Sequence, residues 1–149
     1  MKVQDILQRK GSGVYRVTPD ASVYDAIGAM AARKVGALLV MEGENLHGLI
    51  SERDYRDKVA LQGRTSKDTA VKDIMTSELL WVSPDEDAKR CMAIMTHRRV
   101  RHLPVLEQKG DKHRVVGILS IGDLVKTIIN EQESEINNLK KYIYSGYPG

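Results

Sequence analysis

Phenylalanine is missing from this sequence of 149 residues, tryptophan occurs once and tyrosine six times. A core without phenylalanine must be aliphatic. So few rings also leave little on which bases can stack, which speaks against single-stranded nucleic acid as the partner. Cysteine is nearly absent as well: Cys91, the single one, cannot form an internal disulfide and fits a reducing, cytoplasmic compartment. No apolar run approaches the ~20 residues that span a bilayer. Met1 leads directly into patterned sequence with Asp5 close behind, so no leader segment is expected. The net charge of +3 suits local phosphate contact better than a broad polyanion footprint.

Catalytic signatures are also lacking. There is no Ser-His-Asp set and no glycine-rich phosphate loop. His47, His97, His102 and His113 have no metal-ligand spacing, so neither a metal nor an enzyme is expected. Hydrophobic residues at 42% and charged residues at 29% are an ordinary globular balance.

What the sequence does contain is a duplication. Val3-Gln4-Asp5-Ile6-Leu7 matches Val71-Lys72-Asp73-Ile74-Met75, and Val17-Thr18-Pro19-Asp20 matches Val82-Ser83-Pro84-Asp85. Gly48-Leu49-Ile50-Ser51-Glu52-Arg53-Asp54 matches Gly117-Ile118-Leu119-Ser120-Ile121-Gly122-Asp123. Three blocks in one order define an internal repeat. The spacing between blocks varies only at Gly11-Ser12-Gly13 and around Gln108–Asp111, where loops belong.

Each copy reads as β-α-β-β-α. A short extended piece (Tyr15–Val17, Leu80–Val82) precedes a Thr/Ser-Pro-Asp segment that predicts a helix start. Ala26, Ile27, Met30 and Ala31 then recur at helical spacing, as Cys91, Met92, Met95 and Thr96 do in the second copy. Aliphatic strands (Ala37–Met41 and Leu103–Leu106) and their followers (Leu46–Ile50 and Val115–Leu119) predict hairpins. A last helix begins near Glu52 or Ile121. One copy alone has too little core, so the expected fold is α/β (α+β), with two repeats packed sheet to sheet about a pseudo-two-fold axis.

The reading divides the chain into repeat 1 (1–62), a polar linker (63–70), repeat 2 (71–130) and an extended C-terminal helix and tail (131–149). Leu124, Ile128, Ile136, Leu139 and Ile143 continue a helical stripe, with Gly146 as the expected stop. That stripe must pack on the chain's own body or on a second subunit.

The motifs Asp73-Ile74-Met75-Thr76, Arg101-His102-Leu103-Pro104-Val105 and the twofold Gly-apolar-apolar-Ser-x-x-Asp resemble the cystathionine-β-synthase (CBS) domain family, in which tandem copies form one regulatory module. Ile50–Arg56 and Gln62–Ser66 look like a stand-alone subgroup of bacteria and plant mitochondria. The resemblance covers Val3 to about Ile129. It implies an adenosine ligand (AMP, ADP, ATP, NAD or S-adenosylmethionine) in the cleft between copies, a homodimer forming a disc of four repeats, and an effector protein the sequence does not name. The competing reading is a structural or nucleic-acid-binding dimer.

Ser51-x-x-Asp54 and Ser120-x-x-Asp123 fall where a strand becomes a helix. A serine can donate to a phosphate and a carboxylate can accept both ribose hydroxyls. The same spacing is close to a helix capping box, which needs no ligand, and the two roles can coexist. The resemblance places a phosphate-facing Arg101 before the second copy's strand, where the first copy has Gly36, and a ligand-facing hydroxyl at Thr76, where the first copy has Gln8. Both departures make the Ser120/Asp123 site the better equipped. Arg53 or Arg56 can supply charge across the cleft. Val35, Ala37, Val100 and Ile118 are candidate walls for adenine, and His102 lies near the phosphate. Arg98 and Arg99 read as solvated cations at a helix end, and Cys91 as core packing.

Overall fold

Aliphatic runs bounded by turn residues become two hairpins, and these organise the molecule. The computed structural model describes residues 1–11 and 15–146, the last five by backbone alone. The expected loop at Ser12-Gly13 lies outside the described residues, and so does the side chain of Ile143. The chain runs α1 (Val3–Lys10), β1 (Arg16–Val17), α2 (Val23–Arg33), β2 (Ala37–Glu42), β3 (Asn45–Ser51), α3 (Glu52–Lys58), α4 (Val71–Ile74), α5 (Ala88–Arg98), β4 (His102–Lys109), β5 (Lys112–Ser120) and α6 (Ile121–Gly146).

The hairpins are near-copies of each other. Ala37 pairs with Ser51 and His102 with Ser120, and each ladder shifts register at an equivalent step, Val40/Met41 and Val105/Leu106. β1 adds parallel to β2. In the second half that role shrinks to a single parallel bridge between Val82 and Val105.

The Thr/Ser-Pro-Asp segments do not open helices as expected. α2 starts later, at the N-cap Ser22, whose hydroxyl accepts from the Asp25 N–H, and α5 starts after Asp87. The proline turns have another task. The Pro84 and Glu86 carbonyls accept the N–H groups of Gln4 and Val3, each at 2.9 Å, while the Pro19 and Ala21 carbonyls accept those of Lys72 and Val71, also at 2.9 Å. Each turn thus satisfies the unpaired N–H groups that open the other copy's lead helix.

The lead helices are therefore exchanged. Val3 and Ile6 of α1 are buried with Val82, Cys91, Met95, Leu103 and Leu119 of the second half. Val71 and Ile74 of α4 are buried with Val23, Met30, Leu38 and Ile50 of the first. A third cluster of Ala37, Leu39, Met41, Leu49 and Ile118 joins the two sheets face to face. Segment 63–70 is more structured than a polar connector: it contains a 3-10 turn at Ser66–Asp68, and the buried Thr69 carbonyl accepts the Val23 N–H at 2.8 Å.

Candidate functional site

The strand-to-helix junctions realise the capping box in both copies. At β3–α3 the Asp54 N–H donates to Ser51 Oγ at 3.2 Å and the Ser51 N–H donates to Asp54 Oδ2 at 3.0 Å. At β5–α6 the equivalent bonds are 3.1 Å from the Asp123 N–H to Ser120 Oγ and 2.9 Å from the Ser120 N–H to Asp123 Oδ2. The Glu52 N–H donates to the Gly36 carbonyl and the Ile121 N–H to that of Arg101. Each junction is thereby tied to the residue just before its own hairpin.

Around Ser51 and Asp54 lies a cleft of about 500 Å³. One side is Gly36, Leu49, Ser51, Glu52, Arg53, Asp54 and Lys58 from the first half. The other is Thr76, Glu78, Leu79 and Leu80 with Arg99, Val100, Arg101, His102 and Pro104. Thr76 belongs here because it is paired with β3: its carbonyl accepts the Leu49 N–H at 3.0 Å, and its N–H donates to the Leu49 carbonyl at 2.9 Å. Sequence reading placed it beside Ser120 and Asp123. The exchange of lead segments moves it to the opposite site.

The cleft is lined by both charges in a definite order. The Asp54 carboxylate is buried and meets Lys58 Nζ at 3.0 Å. Lys58 also donates to the Ile74 carbonyl at 2.8 Å, tying α3 to α4. Arg53 Nη1 donates to the Arg99 carbonyl at 3.1 Å, which fixes one rim against the other. The Arg99 and Arg101 guanidinium groups have no carboxylate partner among the described residues. They face the cleft and an adjoining groove that Arg53, Arg56 and Met95 also line.

His102 stands between the two junctions, its Cε1 at 3.4 Å from where a Cβ on Gly36 would be. Burial, with Lys10 and Arg101 nearby, depresses its pKa to about 4 against the partial pull of Asp123. The imidazole is therefore neutral near pH 7. Because the unfolded chain takes up this proton near pH 6.5 and the folded one near pH 4, stability falls as pH drops through that window. In urea titrations at pH 4.5 and pH 7, His102→Gln is expected to lose less stability on acidification than the parent. Equal losses would contradict this.

The second junction is arranged differently. Lys10, at the end of α1, donates to Asp123 Oδ2 at 2.8 Å and to the Ile118 carbonyl at 2.9 Å. Burial alone would raise the Asp123 pKa, but Lys10 and the Ser120 N–H outweigh it and hold the carboxyl below its usual range. Aligning the lead segments puts Glu78 in the first cleft where Lys10 stands in the second. The pattern of the sequence predicts Ser120/Asp123 as the better-equipped anion site; in the structure Lys10 meets Asp123 there, as Lys58 meets Asp54 in the first cleft. Arg101 lines the cleft of the other junction.

Among the proposed adenine walls, Val100 lines the open cleft. Ala37 and Ile118 are instead buried between the sheets, and Val35 packs on the first half's core. Leu49, Leu79, Leu80 and Pro104 supply the apolar wall, and the sequence pattern offered no reason to single them out. Cys91 is fully buried, with its thiol pushed up to about 11 by that burial, and is not available as a nucleophile.

Comparison with known proteins follows the same lines. The model of the CBS domain matches residues 3–61 and again 71–130. The chain belongs to the CBS domain family. The CBS domain-containing protein CBSX3, mitochondrial, of Arabidopsis thaliana is 41% identical over 97% of this chain and 73% of its own length. A signal-transduction protein with CBS domains from Burkholderia ambifaria superposes with a TM-score of 0.82 at 46% identity, over 89% of this chain and 96% of the other. The CBS domain pair of protein MJ0100, solved with 5-methylthioadenosine and S-adenosylmethionine, shares the fold with a TM-score of 0.76 at 22% identity, over 88% and 98% of the two chains. The chain is a regulatory CBS pair. No helix among the described residues is long and apolar enough to cross a membrane.

Proposed function

We propose that this CBS pair binds an adenine nucleotide, of the AMP, ADP, ATP or NAD class, in the open cleft between its repeats and acts as a non-catalytic sensor in a reducing, cytoplasmic setting. The observation that carries the reading is the meeting of Ser51 and Asp54 of repeat 1 with the unpaired Arg99 and Arg101 of repeat 2 across a cleft of about 500 Å³. An adenine base suits the apolar wall of Leu79, Leu80, Val100 and Pro104. A ribose suits the Asp54 carboxylate, and phosphates suit the Thr76 hydroxyl and the two guanidinium groups. The adenosine ligands of the MJ0100 pair support the same ligand class.

The Ser120/Asp123 junction is a second position for such a ligand, and a ribose has a lysine to displace from the carboxylate at either junction, Lys10 at Asp123 and Lys58 at Asp54. Binding across the repeats favours one relative tilt of the two halves over others. The surface presented to an effector or to a second copy then changes by population shift, to the extent that the ligand prefers one tilt.

Calorimetric titration with AMP, ADP, ATP, NAD and S-adenosylmethionine tests the reading. Dissociation constants in the micromolar to millimolar range, roughly −8 to −4 kcal/mol, are expected, and no heat with any of them sinks it. Arg101→Ala is expected to weaken ATP about tenfold or more, the loss of one charge-assisted hydrogen bond. S-adenosylmethionine, which has no phosphate, should lose far less. Equal losses for both ligands would remove Arg101 from phosphate binding.

A further inference from the structure

Helix α6 begins inside the molecule and ends outside it. Leu124 and Thr127 are buried, and Glu131 faces the N-terminal ammonium at 3.7 Å. Every described residue from Gln132 to Lys141 is exposed, while the helix continues to Gly146. This projecting stretch is about four turns long, a length at which a helix without cover is marginal in water.

Its surface is not that of a solvated helix. Val125, Ile129, Ile136 and Leu139 are 43%, 47%, 50% and 60% exposed, and Ile143 follows in the sequence. On a helix of 3.6 residues per turn they fall within an arc of about 80°, to one side of the face that Leu124 and Thr127 present to the body. Counted from Ile129, the positions are those of a heptad seam: Ile129 and Ile136 in one set, Leu139 in the other, Gln132 the one polar member. Glu133, Glu135 and Lys140 flank it.

We propose that α6 pairs with α6 of a second copy of this chain through Ile129, Ile136 and Leu139. The flanking charges favour a like partner. Antiparallel pairing sets Glu133 against Lys140 of the other copy twice over, and parallel pairing sets Glu135 against Lys140 twice over. A uniformly basic partner helix would be repelled at Lys140, and a uniformly acidic one at Glu133 and Glu135. The expected homodimer is thus given a specific contact, separate from the nucleotide cleft and independent of whether that cleft binds anything. The helix that makes it also carries Asp123 in its first turn.

Disulfide trapping tests the contact directly, because the native Cys91 is fully buried. In the full-length protein, the double variant Ile136→Cys/Leu139→Cys should form an intermolecular disulfide under mild oxidation in either orientation. Asn137→Cys/Asn138→Cys, off the seam on the same exposed turn, should not. Lys140→Glu should weaken self-association in sedimentation, and adding Glu133→Lys (antiparallel) or Glu135→Lys (parallel) should restore it. Equal trapping of the two cysteine pairs, or self-association indifferent to Lys140→Glu, would overturn the proposal. All these positions are exposed in the single chain, so a single cooperative thermal transition suffices to confirm that each variant is folded, while loss of association itself lowers its midpoint.

Discussion

Gly48→Ala is expected to destabilise the protein by on the order of 3 kcal/mol, while Gly117→Ala at the equivalent position costs far less. A Cβ on Gly48 would lie 2.6 Å from the Thr76 carbonyl oxygen and 3.0 Å from Met75 Sδ. The backbone contact is the decisive one, because the Thr76 segment is held to β3 by a pair of hydrogen bonds and cannot retreat without breaking them. At Gly117 the nearest atoms are the Leu7 methyls, at 3.0 and 3.2 Å, and a leucine can change rotamer. Urea unfolding of the two variants makes the comparison, and equal stabilities would mean the lead segment does not press on β3 as described. Since Thr76 lines the cleft, Gly48→Ala should also weaken any ligand bound there.

The second large effect concerns the exchange of lead helices. Ile6→Ala removes side-chain atoms buried in the core of the second half, and Ile74→Ala does the same in the first. Each truncation is expected to cost about 2–5 kcal/mol. Hydrogen exchange should show where the loss falls: Ile6→Ala loosens α5, β4 and β5 more than α2, β2 and β3, and Ile74→Ala does the reverse. Loosening of the copy that contains the substituted residue in sequence would contradict the exchanged arrangement.

This exchange also marks the limit of what the sequence made legible. The duplication, the hairpins and the two Ser-x-x-Asp junctions rest on local pattern, and each is found where the pattern put it. Which lead helix packs in which half is a tertiary choice between two near-identical cores, and residue spacing has no bearing on it. The misplacement of Thr76 follows from that one ambiguity, and so does the unforeseen meeting of Lys10 with Asp123. The proline turns misled for a related reason. Their carbonyls serve a helix distant in sequence, whereas a local reading assigns them to the helix that follows.

Ala37 and Ile118 show a different limit. Both are apolar residues next to a proposed site, but the sheet-to-sheet contact needs them, and burial between sheets leaves no face for a ligand. The cleft wall is drawn instead from Leu79, Leu80 and Pro104. Leu79 and Leu80 belong to irregular sequence in which no periodicity distinguishes a wall from a loop, and Pro104 lies inside β4, where the strand pattern does not say which residue meets the cleft.

The central claim is that the cleft at Asp54, rather than its counterpart at Asp123, is the nucleotide site. Calorimetric titration of ATP into the parent, Asp54→Asn and Asp123→Asn tests it most directly, with melting temperatures to confirm that each is folded. The account predicts binding in the parent, loss of roughly a hundredfold or more in Asp54→Asn, and binding retained in Asp123→Asn. Loss in Asp123→Asn with Asp54→Asn unaffected would contradict it.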